Sequence, residues 1–206
     1  LMITFTKAAA QEMSVKFKKK FGEPNGITFS TIHALCLKIL MTYGGLSAEN
    51  IIKTSDQWKF LLETARKCQS VCDPAKASGN FQMLYSAAMN NRMSPSEVNP
   101  KDIKGISRKD FLFMSDEYRR MKERTGYIDF DDMLVKAYEL MTGNPQVLRQ
   151  LRERWDYIQV DEYQDVNYLQ RDLVYLLAGE KKNLCVAGDD DQSIYRFRGA
   201  IPQIML

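Results

Sequence analysis

The sequence predicts an α/β fold in which a parallel sheet flanked by helices carries an inserted all-helical subdomain. Three observations predict it. Short apolar runs alternate with amphipathic helical stretches at both ends of the 206-residue chain. Strand-like runs vanish between about Leu46 and Gly126. Two apolar runs in the last third finish in acidic residues, where an open α/β sheet presents its ligand crevice. The expected division is residues 1–45 with 127–206 for the sheet part and 46–126 for the insertion.

The elements follow in order. "LMITFT" is a β-rich run, and "KAAAQEMSVKFKKKFG" is a helix that Thr6 caps, with Ala9, Met13 and Phe17 on one face and Gly22 past its end. "GITFSTIHALCLKILMTYGG" repeats the design: a strand through Phe29, a turn at Ser30 and Thr31, and a helix ended by Gly44 and Gly45. In the insertion, helical patterns are separated by turn-rich pieces such as "DPAKASGN" and "MSPSEVNPKDIKG". "FDDMLVKAYELM" and "NYLQRDLVYLLAG" are further helices, and "WDYIQVDE" and "KNLCVAGDD" are short strands.

With 45% hydrophobic and 27% charged residues the chain is globular and not disordered. No apolar run approaches the roughly 20 residues that span a bilayer, and no signal peptide opens the sequence, so a cytoplasmic protein without membrane contact is expected. Cys36, Cys68, Cys72 and Cys185 form no paired framework and are expected to be reduced thiols. Charge is unevenly spread: residues 1–46 and 47–126 each carry a net +4, and residues 127–206 carry −5. Polyanion contact is expected of the first part and cation contact of the last.

Asp161-Glu162 and the run Gly188-Asp189-Asp190-Asp191-Gln192 fall at the two acidic strand ends. Carboxylates grouped so closely repel unless a cation compensates. Mg²⁺ shared with substrate phosphates suits them, because it takes few protein ligands and keeps its waters. Acids that merely cap the following helices would explain one such cluster more readily than two.

"VDEYQD", then "VAGDDDQSIYRFRGA", resembles the Walker B and third motifs of superfamily 1 DNA helicases of the UvrD/Rep/PcrA type. "ITFTKAAAQEM", "TFSTIHALCLKIL" and "YIDFDDMLVKAYEL" resemble three further segments of that family, and all five stand in family order. The resemblance implies a RecA-like, P-loop NTPase type of sheet and an ATP-dependent 3′-to-5′ helicase or translocase serving DNA repair or replication, with Mg²⁺ as cofactor. It implies that Asp161 orients Mg²⁺ through water, that Glu162 is the base for the attacking water, and that Gln192 senses the γ-phosphate. Gln164 belongs to the same nucleotide site, and with Asp165 and Arg198 it would couple that site to its neighbours. Single-stranded DNA would run past Phe5, Thr4, Thr6, Ser30 and His33 and stack on Tyr195 and Phe197, the latter standing where many relatives have Trp. Phe5 reads equally well as a core strand residue, and His33 alone as a helix-start histidine. The insertion would meet the duplex junction.

No G-x-x-x-x-G-K-[ST] loop occurs in this sequence. Backbone amides and a lysine of that loop cradle phosphates, so this chain by itself is expected to bind ATP weakly and to leave DNA unwound, as a fragment of a larger helicase. The resemblance makes the strand before that loop central, so its absence is expected to expose two unpaired strand edges and to favour homo-association. Two other classes compete. One is a non-catalytic single-stranded DNA-binding or regulatory module derived from a helicase. The other is a Mg²⁺-dependent nuclease built on Asp189-Asp190-Asp191, which fits poorly for want of a Lys at acid-x-Lys spacing.

Overall fold

The computed structural model describes residues 1–99, 101, 103, 105–189 and 191. The chain divides into two compact units. The first comprises Leu1–Gly45 and the described residues from Met133 onward, and the second Leu46–Asp132.

The first unit is built on four parallel strands, β1 (Met2–Thr4), β2 (Phe29–Thr31), β3 (Ile158–Val160) and β4 (Leu184–Val186), in the order β2-β1-β3-β4. Each is three residues long, so register carries the organisation. Ile3 stands beside Ser30 on one side and Val160 on the other, and Val160 in turn beside Val186. Ile3, Ile158 and Val160 are buried, while Gln159 between the last two is exposed, the alternation of a pleated strand. The described strands pair without interruption, so the open edges are the outer margins of β2 and β4.

Helix α1 (Lys7–Phe21) starts where the Thr6 hydroxyl accepts the Ala9 N–H at 3.1 Å and ends where the Gly22 N–H reaches Lys18 O. Helix α2 (Ile32–Tyr43) follows β2 with no intervening turn. Ser30 and Thr31, expected to form one, are strand residues, and the Thr31 hydroxyl caps the helix by accepting from Ala34 N. The apolar face of α2, Ile32, Leu35, Cys36, Ile39 and Leu40, is buried.

The second unit packs α3 (Thr54–Ala65), α4 (Pro74–Asn90) and α5 (Arg108–Thr125) around Leu61, Phe81, Phe111, Met114 and Tyr118. "DPAKASGN", read from sequence as a turn, instead opens α4. Asp73 accepts the N–H groups of Ala75 and Lys76, and Pro74 sits at the first helical position, where its missing N–H costs nothing.

This unit also buries a charge cluster. Lys122 Nζ lies 3.0 Å from Asp129 Oδ2 and 2.7 Å from Asp132 Oδ2, and 4.5 Å from the centre of the Tyr118 ring, whose hydroxyl donates to Asp129 at 2.9 Å. Burial opposes the ammonium, but the two carboxylates prevail and hold its pKa above the ordinary value. Asp131 stands apart from the lysine: its Oδ1 accepts from Ser86 Oγ and Asn90 Nδ2. Burial, and then the charge of Asp129, pushes its carboxyl up to about 6.

The chain continues through α6 (Phe130–Gly143), within which the division between the units falls, to α7 (Pro145–Arg154) and α8 (Tyr168–Ala178) in the first unit. Helix α7 had no counterpart in the sequence reading. It packs against α8, and Arg152 Nε donates to Leu176 O at 2.8 Å.

Candidate functional site

Because the strands are parallel, their carboxyl ends open along one margin of the sheet. β1 delivers Thr4 and Phe5 there, the start of α2 delivers His33, and β3 delivers Asp161 and Glu162; these residues, together with Gln170 of α8, line a cavity of about 170 Å³. Small-molecule sites usually run to roughly 300–1,000 Å³. Among the described residues, the cavity is thus smaller than most small-molecule sites.

Between β3 and α8 the chain makes a tight turn at Tyr163–Asp165. Glu162 enters it in the left-handed region, φ 53° and ψ 45°, a conformation unfavourable for a residue with a Cβ. Two ladders hold it: Asp165 N donates to Glu162 O, and Tyr163 N donates to Ala187 O just past β4. The Glu162 side chain is exposed, and Asp161 is half-buried with its N–H on Ile3 O.

Gln164, 1% exposed, does not line the cavity. Its Nε2 donates to Glu162 Oε2 at 2.6 Å and its Oε1 accepts from Asp189 N at 3.0 Å, partners that fix which way the amide points. Any Cβ on Gly188 would collide with Gln164 Oε1 and lie 3.0 Å from Tyr163 N, so this close approach requires glycine. Asp165 is buried in the same turn.

The hydroxyls expected along a DNA track are used by the fold's own turns. Thr4 is buried and donates to Thr6 O, Thr6 caps α1, and Ser30 Oγ donates to Thr31 O. Phe5 is half-buried at the cavity, just past the last residue of β1. His33 is half-buried too, and burial lowers its pKa, which favours the neutral imidazole. Gln192, Tyr195, Phe197, Arg198 and Asp190 lie outside the described residues. Asp191 N donates to Asp189 Oδ1.

Two adjacent carboxylates fit a Mg²⁺ that keeps most of its waters. They do not fit a cation caged by protein, and among the described residues no group of three or more acidic, His or Cys side chains is placed to hold one. Gln170, not among the residues expected at the site, closes a reciprocal cap with Asn167 through its side chain and also lines the cavity. The N-x-x-Q spacing signals the cap and says nothing of the cavity.

The profile of the UvrD/REP helicase N-terminal domain matches residues 1–206. YjcD of Bacillus subtilis is 33% identical over 214 residues, a match covering 100% of this chain and 28% of that relative. ATP-dependent DNA helicase PcrA of Staphylococcus aureus is 34% identical over 211 residues, covering 100% and 29%. PcrA of Staphylococcus epidermidis is 33% identical with the same coverage. The chain spans less than a third of the length of these curated relatives.

Proposed function

We propose, on the premise that this chain belongs to the UvrD/REP helicase N-terminal domain family, that it forms part of the first RecA-like motor domain of an ATP-dependent, 3′-to-5′ DNA helicase or translocase. The observation that carries the reading is that Asp161 and Glu162 share one cavity with Phe5 and His33. Groups suited to phosphoryl transfer and groups suited to a nucleic-acid strand thus lie at the same sheet margin. The named activities of the PcrA relatives support it.

Phosphoryl transfer asks a protein mainly for positioning and charge stabilisation. Asp161 would hold Mg²⁺ through the metal's water shell, and bound Mg²⁺ supplies neutralising charge to the terminal phosphates. Glu162 orients the attacking water and accepts its proton, which requires a carboxylate at hydrogen-bond reach and held in one orientation. Phe5 offers a face on which a base can stack, and neutral His33 offers a donor to the strand's backbone. Gln192, Tyr195, Phe197 and Arg198 keep the roles that the resemblance implies. The partners are single-stranded DNA, the duplex junction and ATP, in the cytoplasm; among the described residues no helix is long and apolar enough to cross a membrane.

The test uses the whole gene product. Glu162→Gln is expected to reduce DNA-stimulated ATP hydrolysis at least 100-fold while leaving Mg·ATP affinity within about threefold. Intact hydrolysis in that variant overturns the reading. For the 206-residue chain alone, the lack of a G-x-x-x-x-G-K-[ST] loop favours a second reading, a module that binds single-stranded DNA without turnover. Titration of that chain with Mg·ATP is expected to give a dissociation constant above about 1 mM, and ATP hydrolysis by that chain removes the second reading.

A further inference from the structure

We infer that Gln164 and Gly188 form a latch that fixes the orientation of the Glu162 carboxylate toward the reaction. Gln164 thereby acts as a positioning residue for that carboxylate and Gly188 as the residue that makes room for it. The inference rests on the assignment of Glu162 as the base.

The Glu162 side chain is exposed, and an exposed glutamate samples several rotamers. Here one carboxylate oxygen, Oε2, accepts from the Gln164 amide at 2.6 Å, which orients the carboxylate plane and leaves the other oxygen for another donor. A base acts efficiently when its reactive oxygen is already in place, and misplacement by about 1 Å can cost 100-fold in rate.

Gln164 can do this only if its own amide is fixed. It is fully buried, and its far end accepts the Asp189 N–H. The loop leaving β4 must therefore approach within bonding distance of the turn leaving β3. Gly188 permits that approach, since a methyl group there would occupy the space of Gln164 Oε1. The left-handed backbone of Glu162 completes the device by turning Gln164 back toward its own neighbour two residues earlier. A side chain needed only for packing would not require an amide with a donor aimed at one strand exit and an acceptor at the next.

The experiment uses the whole gene product, with steady-state ATP hydrolysis measured against ATP concentration and pH. Gln164→Met keeps the side chain's length and removes both hydrogen bonds. It is expected to lower kcat roughly 10- to 100-fold with KM for ATP within about threefold. Gly188→Ala is expected to lower kcat similarly, and the double variant to be no worse than the poorer single one. Gln164→Glu sets a second carboxylate against Glu162 in place of the donating amide and is expected to lower kcat at least as far across the pH range. Wild-type kcat in Gln164→Met or in Gln164→Glu overturns the latch while leaving the helicase reading intact. A wild-type protein without Mg²⁺-dependent hydrolysis overturns that reading and the latch with it.

Discussion

Lys122 Nζ and Asp129 Oδ2 meet at 3.0 Å with both side chains more than nine-tenths buried, and the Tyr118 hydroxyl closes on the same carboxylate oxygen. Breaking a buried pair from one side leaves an uncompensated charge and typically costs about 3–5 kcal/mol. Lys122→Met is therefore expected to destabilise the chain by that order, read as a lower urea midpoint. Adding Asp129→Asn and Asp132→Asn to it should recover part of the loss, because the stranded charges are then gone.

Asp131 titrates in the opposite sense from most carboxylates. Its folded pKa, raised to about 6, exceeds the unfolded value, so the folded state binds the extra proton between roughly pH 4 and 6. Its contribution is full at acid pH and is lost as pH rises through 6, a change of roughly 2–3 kcal/mol. Asp131→Asn keeps an oxygen for Ser86 and Asn90 and removes the charge beside Asp129. The variant is expected to be more stable than its parent at pH 7.5 and nearly equal to it at about pH 3.5, below the unfolded pKa, by thermal or urea unfolding.

His33 carries the reverse dependence. Burial depresses its folded pKa, so the unfolded chain gains a proton first as pH falls below about 6.5. Stability present above that value is lost under acid. His33→Asn, a neutral replacement, is expected to lose less stability than its parent between pH 7.5 and pH 5.5. An equal loss in both would remove the histidine as the cause.

Phe5 is the aromatic side chain at the cavity. If a base stacks on it, Phe5→Ala should weaken single-stranded DNA binding by the whole gene product by about 1–3 kcal/mol, with little dependence on sequence, in fluorescence anisotropy. Unchanged affinity would assign Phe5 to packing.

Legibility from sequence followed the range of the interactions. Helix caps are local, so Thr6 and the termini of α1 and α8 could be read from a few neighbouring residues. Asp73-Pro74 carries the same signal, but Gly79 and Asn80 inside α4 made the stretch look like a turn; tertiary packing of Phe81 and Tyr85 overrides their propensity. Asn144-Pro145 with Val147 and Leu151 four apart marked α7 in the same way and went unread. The adjacent acids at the end of β3 were visible as a pair, and a parallel sheet says which margin they occupy. Nothing local says that Gln164 reaches Asp189, 25 positions on, or that one lysine would be shared by two aspartates seven and ten residues away. Such partnerships exist only after the chain has folded back on itself.

The interior strand β1 is paired on one side with β3, and the ladder joins segments about 150 residues apart. Closing so wide a loop is slow, and Met2–Thr4 leave the ribosome long before their β3 partner has been synthesised. The helical unit is one continuous segment complete by Asp132, so it is expected to organise first. Ribosome speed and chaperone occupancy then govern how long Met2–Thr4 waits for its neighbour.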